Sequence, residues 1–285
     1  MIITKLIGGL GNQMFQYAAG RRAAVANETV LKLNIAGYNH QVGITKREYI
    51  LHIFHIDEQF TTRLETVLLK RPKSFLSRIF SPCSSYVKEK YFHFDPDILS
   101  VPNNSYLEGY WASEKYFQDI SDVIRKEFIL KNTPDAINKA MMKRISSCNS
   151  ISIHVRRNDY VEDKKTNDFH GVCGLEYYNK AVSMIGKKIK NPTFFVFSDD
   201  PEWCKINLRL DFPTDYVTHN LGKKDYEDMR LMSACKHNII ANSSFSWWGA
   251  WLNNNSNKIV VAPKKWFADA STNTADLVPK QWSRI

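Results

Sequence analysis

The sequence predicts an α/β protein built from two Rossmann-like halves that face one another across a central cleft. Short apolar runs alternate with helix-like segments along most of the chain, the pattern of parallel strands joined by crossover helices. The 285 residues are enough for one large or two ordinary domains. A Pro-containing stretch at residues 131–134 marks the boundary, so we expect one domain over residues 1–135 and a second over 136–285.

In the first half, strand, helix and strand follow one another at residues 2–7, about 14–27 and 29–33. Apolar residues spaced by three and four predict a helix within residues 57–81. The run YLEGYW predicts a strand whose end exposes Tyr110 and Trp111, and Ser113 is placed to cap a helix that reaches about residue 128.

The second half is a more regular alternation of strands and helices. Strands are predicted from β-branched and aromatic runs at 151–156, 194–198, 216–219, 238–242 and 259–262. Helices are predicted near 136–145, 175–186, 202–208, 225–234 and 245–254.

Composition excludes several classes of protein. The net charge is +10, but the lysines are scattered and form no nucleic-acid stripe, so we expect no nucleic-acid partner. Five cysteines without a C-x-x-C pair indicate neither a disulfide framework nor a zinc site, which favours a reducing compartment. No apolar run approaches the ~20 residues that span a bilayer. We therefore expect a cytoplasmic protein with at most peripheral membrane contact.

The first predicted strand is followed by the glycine-rich stretch GGLGNQ, which begins at Gly8. Glycine there permits positive φ and lets backbone N–H groups approach an anion at the start of a helix. The alternative is a tight turn capped by Asn12. The spacing fits neither G-x-G-x-x-G nor the P-loop, so nicotinamide and P-loop nucleotides lack their expected pattern.

The strand ISIHV contains His154 near its end and is followed by Arg156 and Arg157. Neighbouring side chains of an extended chain point to opposite sides. One guanidinium can therefore face a phosphate while the other pairs with a carboxylate such as Asp159. The alternative is a structural cluster of ion pairs.

Two further strand ends are polar. After FFVF come Ser198, Asp199 and Asp200, where one carboxylate can contact a base or ribose and another can cap the helix that starts at Pro201. After NIIA comes NSSF, which begins at Asn242 and places hydroxyls and helix-start N–H groups where diphosphate oxygens can bind. Together the strand ends indicate a nucleotide-sugar site.

A divalent metal held by a D-x-D pair is the other common solution to nucleotide-sugar chemistry. Asp95-Pro96-Asp97 matches that short pattern. It does not follow a clean strand, and Pro96 indicates a turn, so we favour a site without metal.

The segments GGLGNQMFQYA, HVRRNDY, FSDD and NSSFSWWGAWL together resemble glycosyltransferase family eleven, the 1,2-fucosyltransferases that use GDP-fucose. They occur in the expected order from Gly8 to Leu252, and H-x-R-R-x-D is typical of fucosyltransferases that form 1,2 or 1,6 bonds. The resemblance implies a GT-B fold, inverting chemistry, no cofactor and no metal. It also implies an acceptor-side domain over 1–135 and a GDP-fucose-binding domain over 136–285.

The same resemblance implies roles for individual residues. Arg156 would grip the β-phosphate and His154 would lie against the nucleotide, with both counted as catalytic. The donor-binding set is Gly9, Gly11, Asn12, Gln13, Arg157, Ser198, Asp199, Asn242, Ser243, Ser244 and Phe245. The implied acceptor is a terminal β-galactoside of an oligosaccharide or a lipid-linked glycan.

Neither the general base nor the reaction is fixed by these residues. Asp159 and Glu108 are candidate bases, and Asp159 is the one we assign, although a dissociative reaction can proceed without a strong base. The competing hypotheses are a glycosyltransferase with another donor or linkage and a non-catalytic sugar-nucleotide-binding protein.

Overall fold

The computed structural model describes residues 1–40, 46–70, 86–157, 168–269 and 271–285. The chain divides into two units, Met1–Asn132 with Asn273–Leu277, and Thr133–Thr272 with Val278–Ile285. The sequence-based division lies after residue 135 and assigns the segment Asn273–Leu277 to the other domain. This segment belongs to the first unit because Lys115 pairs with the Asp276 carboxylate and the Ser113 hydroxyl donates to the Asp276 carbonyl.

The described residues of the first unit form a parallel four-stranded sheet with helices. The strands are β1 (Ile2–Lys5), β2 (Leu31–Asn34), β3 (Tyr86–Lys88) and β4 (Ser105–Glu108). The helices are α1 (Leu10–Ala26), α2 (Arg63–Lys70) and α3 (Ser121–Glu127). The strand order β2-β1-β4-β3 places β1 and β4 in the centre.

Several elements of this unit differ from their predictions. Helix α1 begins four residues before the predicted start, at Leu10, directly after the extended Gly9. The helix predicted within 57–81 is observed as α2, and residues 71–85 lie outside the described ranges. The helix expected to run to about residue 128 is split into the 3₁₀ turns Glu114–Tyr116 and Gln118–Ile120 and then α3. The short strand β3 was not predicted.

The end of β4 and the turn that follows test the predicted exposure of Tyr110 and Trp111 and the predicted cap at Ser113. Tyr110 is exposed as expected, at 40% of its surface, but Trp111 is fully buried and packs edge-on against Tyr116. Ser113 does act as a cap, because its hydroxyl accepts a hydrogen bond from the backbone N–H of Lys115. The cap opens a 3₁₀ turn rather than an α-helix.

The described residues of the second unit form a parallel six-stranded sheet. The strands are β5 (Asn149–Val155), β6 (Pro192–Ser198), β7 (Thr214–Val217), β8 (His237–Ile239), β9 (Val260–Ala262) and β10 (Ser283–Arg284). The helices are α4 (Ala136–Ser146), α5 (Leu175–Gly186), α6 (Pro201–Asn207), α7 (Asp225–Ala234) and α8 (Ser244–Leu252). The order is β10-β9-β8-β5-β6-β7. Every strand and helix predicted for this half is confirmed, and only the two-residue β10 was missed.

Strands β5 and β6 form the core of the second unit. Ile151, Ile153, Phe194 and Val196 are all buried, and Ile185 of α5 packs into the same cluster. The sequence identified these strands from their β-branched and aromatic residues. The polar residues within them, Ser150, Ser152 and Thr193, are buried, so accessible polar groups occur at the strand ends.

In each sheet, there is one position from which later strands are added on the opposite side of the first strand. In the first unit, β1 has β2 on one side and β4 on the other, and in the second unit β5 lies between β6 and β8. The loops that leave the carboxyl ends of two such neighbouring strands diverge, so a crevice opens between them. The β1/β4 and β5/β8 strand ends are therefore the positions in which to look for ligand contacts.

Two expectations about the whole chain concern cysteines and membranes. Cys148, Cys173, Cys204 and Cys235 are free thiols, and Cys83 lies outside the described residues. Within the described ranges, the helices are too short or too polar to cross a bilayer.

A polar cluster joins α4, the loop after β7 and α7. Asn138 and Asn220 are buried and exchange hydrogen bonds between their amides, at 2.9 Å in each direction. Asn220 also donates to the Asp228 carboxylate at 2.9 Å, and His219 contacts Asn138. Burial, with the nearby charges of Asp225 and Glu227, raises the pKa of Asp228 to about 7.

We predict that Asp228→Asn stabilises the protein above pH 7. A carboxyl whose pKa is higher in the folded than in the unfolded state loses its stabilising contribution as pH rises through the folded value. The amide oxygen can still accept from Asn220 without an ionised form. Thermal unfolding should show a gain of a few degrees for the variant at pH 8 that shrinks toward pH 5.

Asp211→Asn, at an exposed carboxyl of the same unit, is the control and should show no such pH-dependent gain. An equal change in melting temperature at both pH values would show that ionisation of Asp228 is not the cause.

Candidate functional site

The crevice at the carboxyl ends of β5 and β8 brings together several of the predicted site residues. Arg156 follows β5, and residues 242–245 follow β8 and begin α8. The rings of His154 and Phe245, one from each side, lie 5.6 Å apart between centroids. Because the loops that leave these two strands diverge here, the second unit by itself contains a candidate nucleotide site.

Arg156 is held by a carboxylate from the neighbouring strand. The parallel register pairs Val155 with Ser198, so the residues that follow, Arg156 and Asp199, stand opposite each other. Arg156 Nη1 lies 3.1 Å from Asp199 Oδ2, and Asp199 Oδ1 accepts from the backbone N–H of Arg157 at 2.9 Å. The Arg156 side chain is 23% exposed. It is therefore fixed in direction and still accessible at the edge of the sheet.

Arg157 has a different environment from the predicted one. Its guanidinium carbon lies 3.7 Å from the ring centroid of Trp203, and its Nε contacts Asp200 at 3.3 Å. Asp200 also accepts from the Trp203 backbone N–H, which caps α6. The predicted helix cap is thus Asp200, and Arg157 packs against that helix, where we had expected a donor contact or a pair with Asp159. Asp159 itself lies outside the described residues.

His154 is a buried, neutral imidazole at the end of β5. Burial, with a smaller contribution from the Arg156 charge, lowers the pKa of His154 to about 3. Its Nδ1 atom is buried and has no hydrogen-bond partner among the described residues. Buried polar atoms nearly always have a partner, so Nδ1 of His154 is a candidate contact for a ligand in the crevice. A neutral imidazole suits an uncharged polar group of that ligand.

The N-terminus of α8 supplies backbone donors at the same edge. Ser243 is its N-cap residue and is buried, yet its side chain makes no capping hydrogen bond. The first turn contains no acidic residue, and Ser244 and Phe245 are half-buried. The first N–H groups of a helix lack partners within the helix and favour anions. Together with Arg156, this end of the helix is suited to a diphosphate.

Asn242 and Ser198 have structural roles that the strand-end pattern did not reveal. The Asn242 amide donates to the carbonyls of His170, Gly171 and Trp266, and its oxygen accepts from Cys173. The Ser198 hydroxyl accepts from the backbone N–H of Asp200 at 3.0 Å. The side-chain hydrogen bonds of both residues support the loops, which differs from the predicted donor contacts.

The glycine-rich stretch of the first unit forms a turn and the start of α1. Gly8 has φ +79°, and a Cβ there would stand 2.7 Å from Asn12 Nδ2, so only glycine fits. Gly9 is the N-cap residue without a side-chain bond, and no acidic residue occupies the first turn, which contains Gly11. The turn therefore requires glycine at position 8, and the helix is preceded by Gly9 rather than capped by Asn12. The anion-binding interpretation of the motif stays a prediction.

The Gln13 side chain is buried and connects segments of the first unit through hydrogen bonds. Its Nε2 donates to the carbonyls of Gly8 and Glu48, and its Oε1 accepts from the backbone N–H of Ile50. This side chain ties the segment that begins at residue 46 to α1. The Gln13 side chain therefore has a structural role, and its contact with a donor substrate stays a prediction.

Glu108, one of two candidate bases, is held as an anion. Lys5, Lys70 and the Tyr86 hydroxyl each contact its carboxylate at 2.9–3.0 Å. Burial alone would raise its pKa, but the hydrogen bonds from Lys5, Lys70 and Tyr86 outweigh burial and lower the pKa to about 2. Such a carboxylate is a weak base, which argues against the role.

The sequence analysis did not identify two carboxyl groups, Glu89 and Asp228. Glu89 follows the unpredicted strand β3, and Asp228 lies in α7, where the acidic run DYED was the available signal. Asp95, of the D-x-D pattern, accepts from the backbone N–H of Asp97 and caps the 3₁₀ turn Pro96–Ser100. In the parts of the chain that the structure describes, no three His, Cys, Asp or Glu side chains group together as a metal site would require.

Comparison with known proteins gives a match over the whole chain. The model of Glycosyl transferase family 11 matches residues 1–285. The chain is 36% identical to an alpha-1,2-colitosyltransferase of Escherichia coli, over 100% of this chain and 99% of that protein. It is 33% identical to the O-antigen biosynthesis glycosyltransferase WbnK of Escherichia coli, over 98% and 99%. Galactoside alpha-(1,2)-fucosyltransferase 1 of Rattus norvegicus is 29% identical, over 59% and 45%.

Solved structures share the fold. NodZ alpha-1,6-fucosyltransferase from Bradyrhizobium, soaked with GDP-fucose, superposes with a TM-score of 0.52 at 14% identity, over 88% of this chain and 91% of that one. A variant of Arabidopsis thaliana FUT1 in complex with GDP gives 0.52 at 12% identity, over 98% and 74%. These are GT-B type fucosyltransferases, so the predicted fold class is confirmed.

The family match spans every residue, and two bacterial relatives align over nearly their full lengths. These matches confirm the resemblance found in the sequence: the chain belongs to glycosyl transferase family 11 and is a glycosyltransferase.

Proposed function

We propose that the chain transfers L-fucose from GDP-fucose, with inversion, to the 2-hydroxyl of a terminal β-galactoside in an oligosaccharide or a lipid-linked surface glycan. The observation that carries this proposal is the β5/β8 crevice, where an oriented Arg156 stands beside a buried neutral His154 with an unpaired Nδ1. Relatives named as galactoside alpha-(1,2)-fucosyltransferases support the linkage and the acceptor class.

Charge separation is the physical basis of the proposed reaction. As the bond between fucose and phosphate breaks, the sugar becomes cation-like and the diphosphate gains negative charge. A guanidinium already oriented by Asp199 stabilises that charge without reorganising, a contribution on the order of several kcal/mol in a poorly hydrated crevice. The open N–H groups of α8 add to it. We propose that these groups take the place of a metal ion.

The neutral state of His154 fits a role in binding the nucleotide. An imidazole with a pKa of about 3 carries no charge at neutral pH, so it can hydrogen-bond to ribose or base without competing with Arg156 for the diphosphate. Asp159 remains our proposed base.

A second donor is favoured by one specific observation. The relative at 36% identity is named for colitosyl transfer, whereas the fucosyltransferase relatives are at 29% or below. We therefore keep transfer of a colitosyl residue, with the same 1,2 linkage, as the alternative.

We predict that incubation with GDP-fucose and lactose yields a fucosylated product with a 1,2 linkage, identified by NMR. In the same assay GDP should inhibit and UDP should not, because the proposed site recognises guanine. Equal inhibition by both nucleotides would reject the guanine assignment. Product formed only from a colitose donor would select the alternative.

We predict that Arg156→Ala lowers turnover at least ~100-fold, since it removes stabilisation of the leaving diphosphate in the transition state. Arg144→Ala is the matched control, because Arg144 belongs to the same unit, is 50% exposed and pairs with Asp215. That variant should keep normal turnover. Thermal unfolding of both variants checks that the fold is intact, and near-normal turnover of Arg156→Ala would contradict the role.

We also predict that EDTA leaves transfer unchanged, because Arg156 and the N-terminus of α8 supply the positive potential. The measurement is product formation before and after chelation. Loss of activity that manganese restores would contradict the metal-independent proposal and would direct attention to Asp95 and Asp97.

A further inference from the structure

The turn after β4 in the first unit has an unusual backbone. Trp111 has φ +54°, a left-handed conformation that a bulky residue rarely adopts. Its ring is fully buried, and its Nε1 has no hydrogen-bond partner in the described part of the chain. Strained backbone of this kind persists only where the surrounding structure enforces it, and it is concentrated at functional sites.

Glu89 enforces this conformation. Its Oε2 accepts from the backbone N–H of Tyr110 at 2.7 Å and its Oε1 from that of Trp111 at 2.9 Å. Among the described residues no cation lies within 4 Å of this carboxylate, and burial raises its pKa. Glu89 is half-buried, and a carboxylate with no cation within 4 Å among the described residues is costly to desolvate. The two backbone N–H groups are therefore held in place at a cost in free energy.

Gly109 completes the arrangement. A Cβ at this position would lie 2.4 Å from Cβ of Glu89 and 2.9 Å from a ring carbon of Trp111, so only glycine fits between them. Glu89, Gly109 and Trp111 are thus mutually fitted, and the residue that they present to solvent is Tyr110, 40% exposed.

Tyr110 stands at the point where the first sheet opens a crevice. It follows β4, whose neighbour β1 leads into the Gly8 turn on the other side. Tyr38 connects the two sides: its hydroxyl donates to the Gly8 carbonyl at 3.1 Å, and its pKa is raised by burial and by the nearby Tyr110 phenol. The exposed Tyr110 ring is therefore part of an ordered group of side chains at the edge of the crevice and is not an isolated surface aromatic.

The chemistry around Tyr110 suits a neutral, hydroxyl-rich ligand. The described groups that contact or lie near the turn include the Tyr38 phenol and the Glu89 carboxylate, which disfavour an anion such as a diphosphate. An aromatic face packs well against the apolar C–H face of a pyranose, and phenol hydroxyls can hydrogen-bond its hydroxyl groups. A terminal galactoside has both features.

We propose that Tyr110 contacts the acceptor sugar and that Glu89 is the positioning residue that holds Tyr110 in place. The inference rests on the proposed function for the identity of the acceptor, and it assigns the acceptor contact to particular residues of the first unit.

The test combines kinetics with direct binding. Tyr110→Ala should raise the KM for lactose roughly tenfold, equivalent to about 1.4 kcal/mol, and leave the KM for GDP-fucose and its acceptor-independent hydrolysis unchanged. Tyr110→Phe keeps the ring and should stay near wild type. Glu89→Gln replaces one acceptor by a donor opposite a backbone N–H, so it should raise the lactose KM without changing hydrolysis. Phe60→Ala, at another exposed aromatic of this unit, is the control.

Binding of methyl β-galactoside without donor, observed by saturation-transfer NMR, separates this inference from the proposed function. Binding that is lost in Tyr110→Ala supports the inference even if GDP-fucose proves not to be the donor. Absence of binding by the wild type, equal binding by Tyr110→Ala, or an unchanged lactose KM would overturn it. Because Tyr110 is exposed, this variant remains informative if Glu89→Gln fails to fold.

Discussion

The ion pair between Arg156 and Asp199 is the interaction on which the candidate site of the second unit depends. Strands β5 and β6 are buried on both faces, so polar chemistry is possible only where they end. Their register places Val155 beside Ser198, and the next residue of each strand is therefore the charged partner of the other. The same carboxylate also accepts from the backbone N–H of Arg157, which fixes the direction in which the chain leaves the sheet. A guanidinium anchored in this way needs little reorganisation when negative charge develops beside it.

The two adjacent arginines show how one register produces two different roles. Arg157 stands opposite Asp200, as Arg156 stands opposite Asp199, but the side chain of Arg157 lies flat on Trp203 of α6. The ion pair between Arg157 and Asp200 thus stabilises the start of α6, which Asp200 caps. Only Arg156 shares the crevice with His154, whose imidazole is kept neutral by burial and by this neighbouring charge. Both arginines form ion pairs, as the sequence-based alternative predicted, and the contact of Arg156 with a phosphate stays a prediction.

Sequence reasoning succeeded where the pattern was long and failed where function depended on distant contacts. The second half was predicted closely because its central strands are seven residues long and rich in β-branched and aromatic residues. The three-residue strand β3 is too short to produce such a pattern, so the sequence did not identify Glu89 at its end. Asn242 was recognised as a strand-end amide, but an amide that supports loops and one that binds a ligand have the same local sequence. Glu108 looked available as a base because Lys5 and Lys70 are remote in the chain.

The carboxylates of the first unit limit how the acceptor hydroxyl can lose its proton. Glu108 is fixed as an anion by two lysines and a phenol, and its pKa of about 2 makes it a weak base. Burial raises the pKa of Glu89, which would favour proton uptake, but both of its oxygens accept backbone N–H groups and are committed to the turn. Neither group is therefore suited to early deprotonation. If bond breaking at the donor runs ahead of attack, the hydroxyl becomes acidic only once it has bonded to a cation-like carbon, and the demand on a base is small. Glu108 and Glu89 are thus unsuited to act as the base, and Asp159 stays the proposed one.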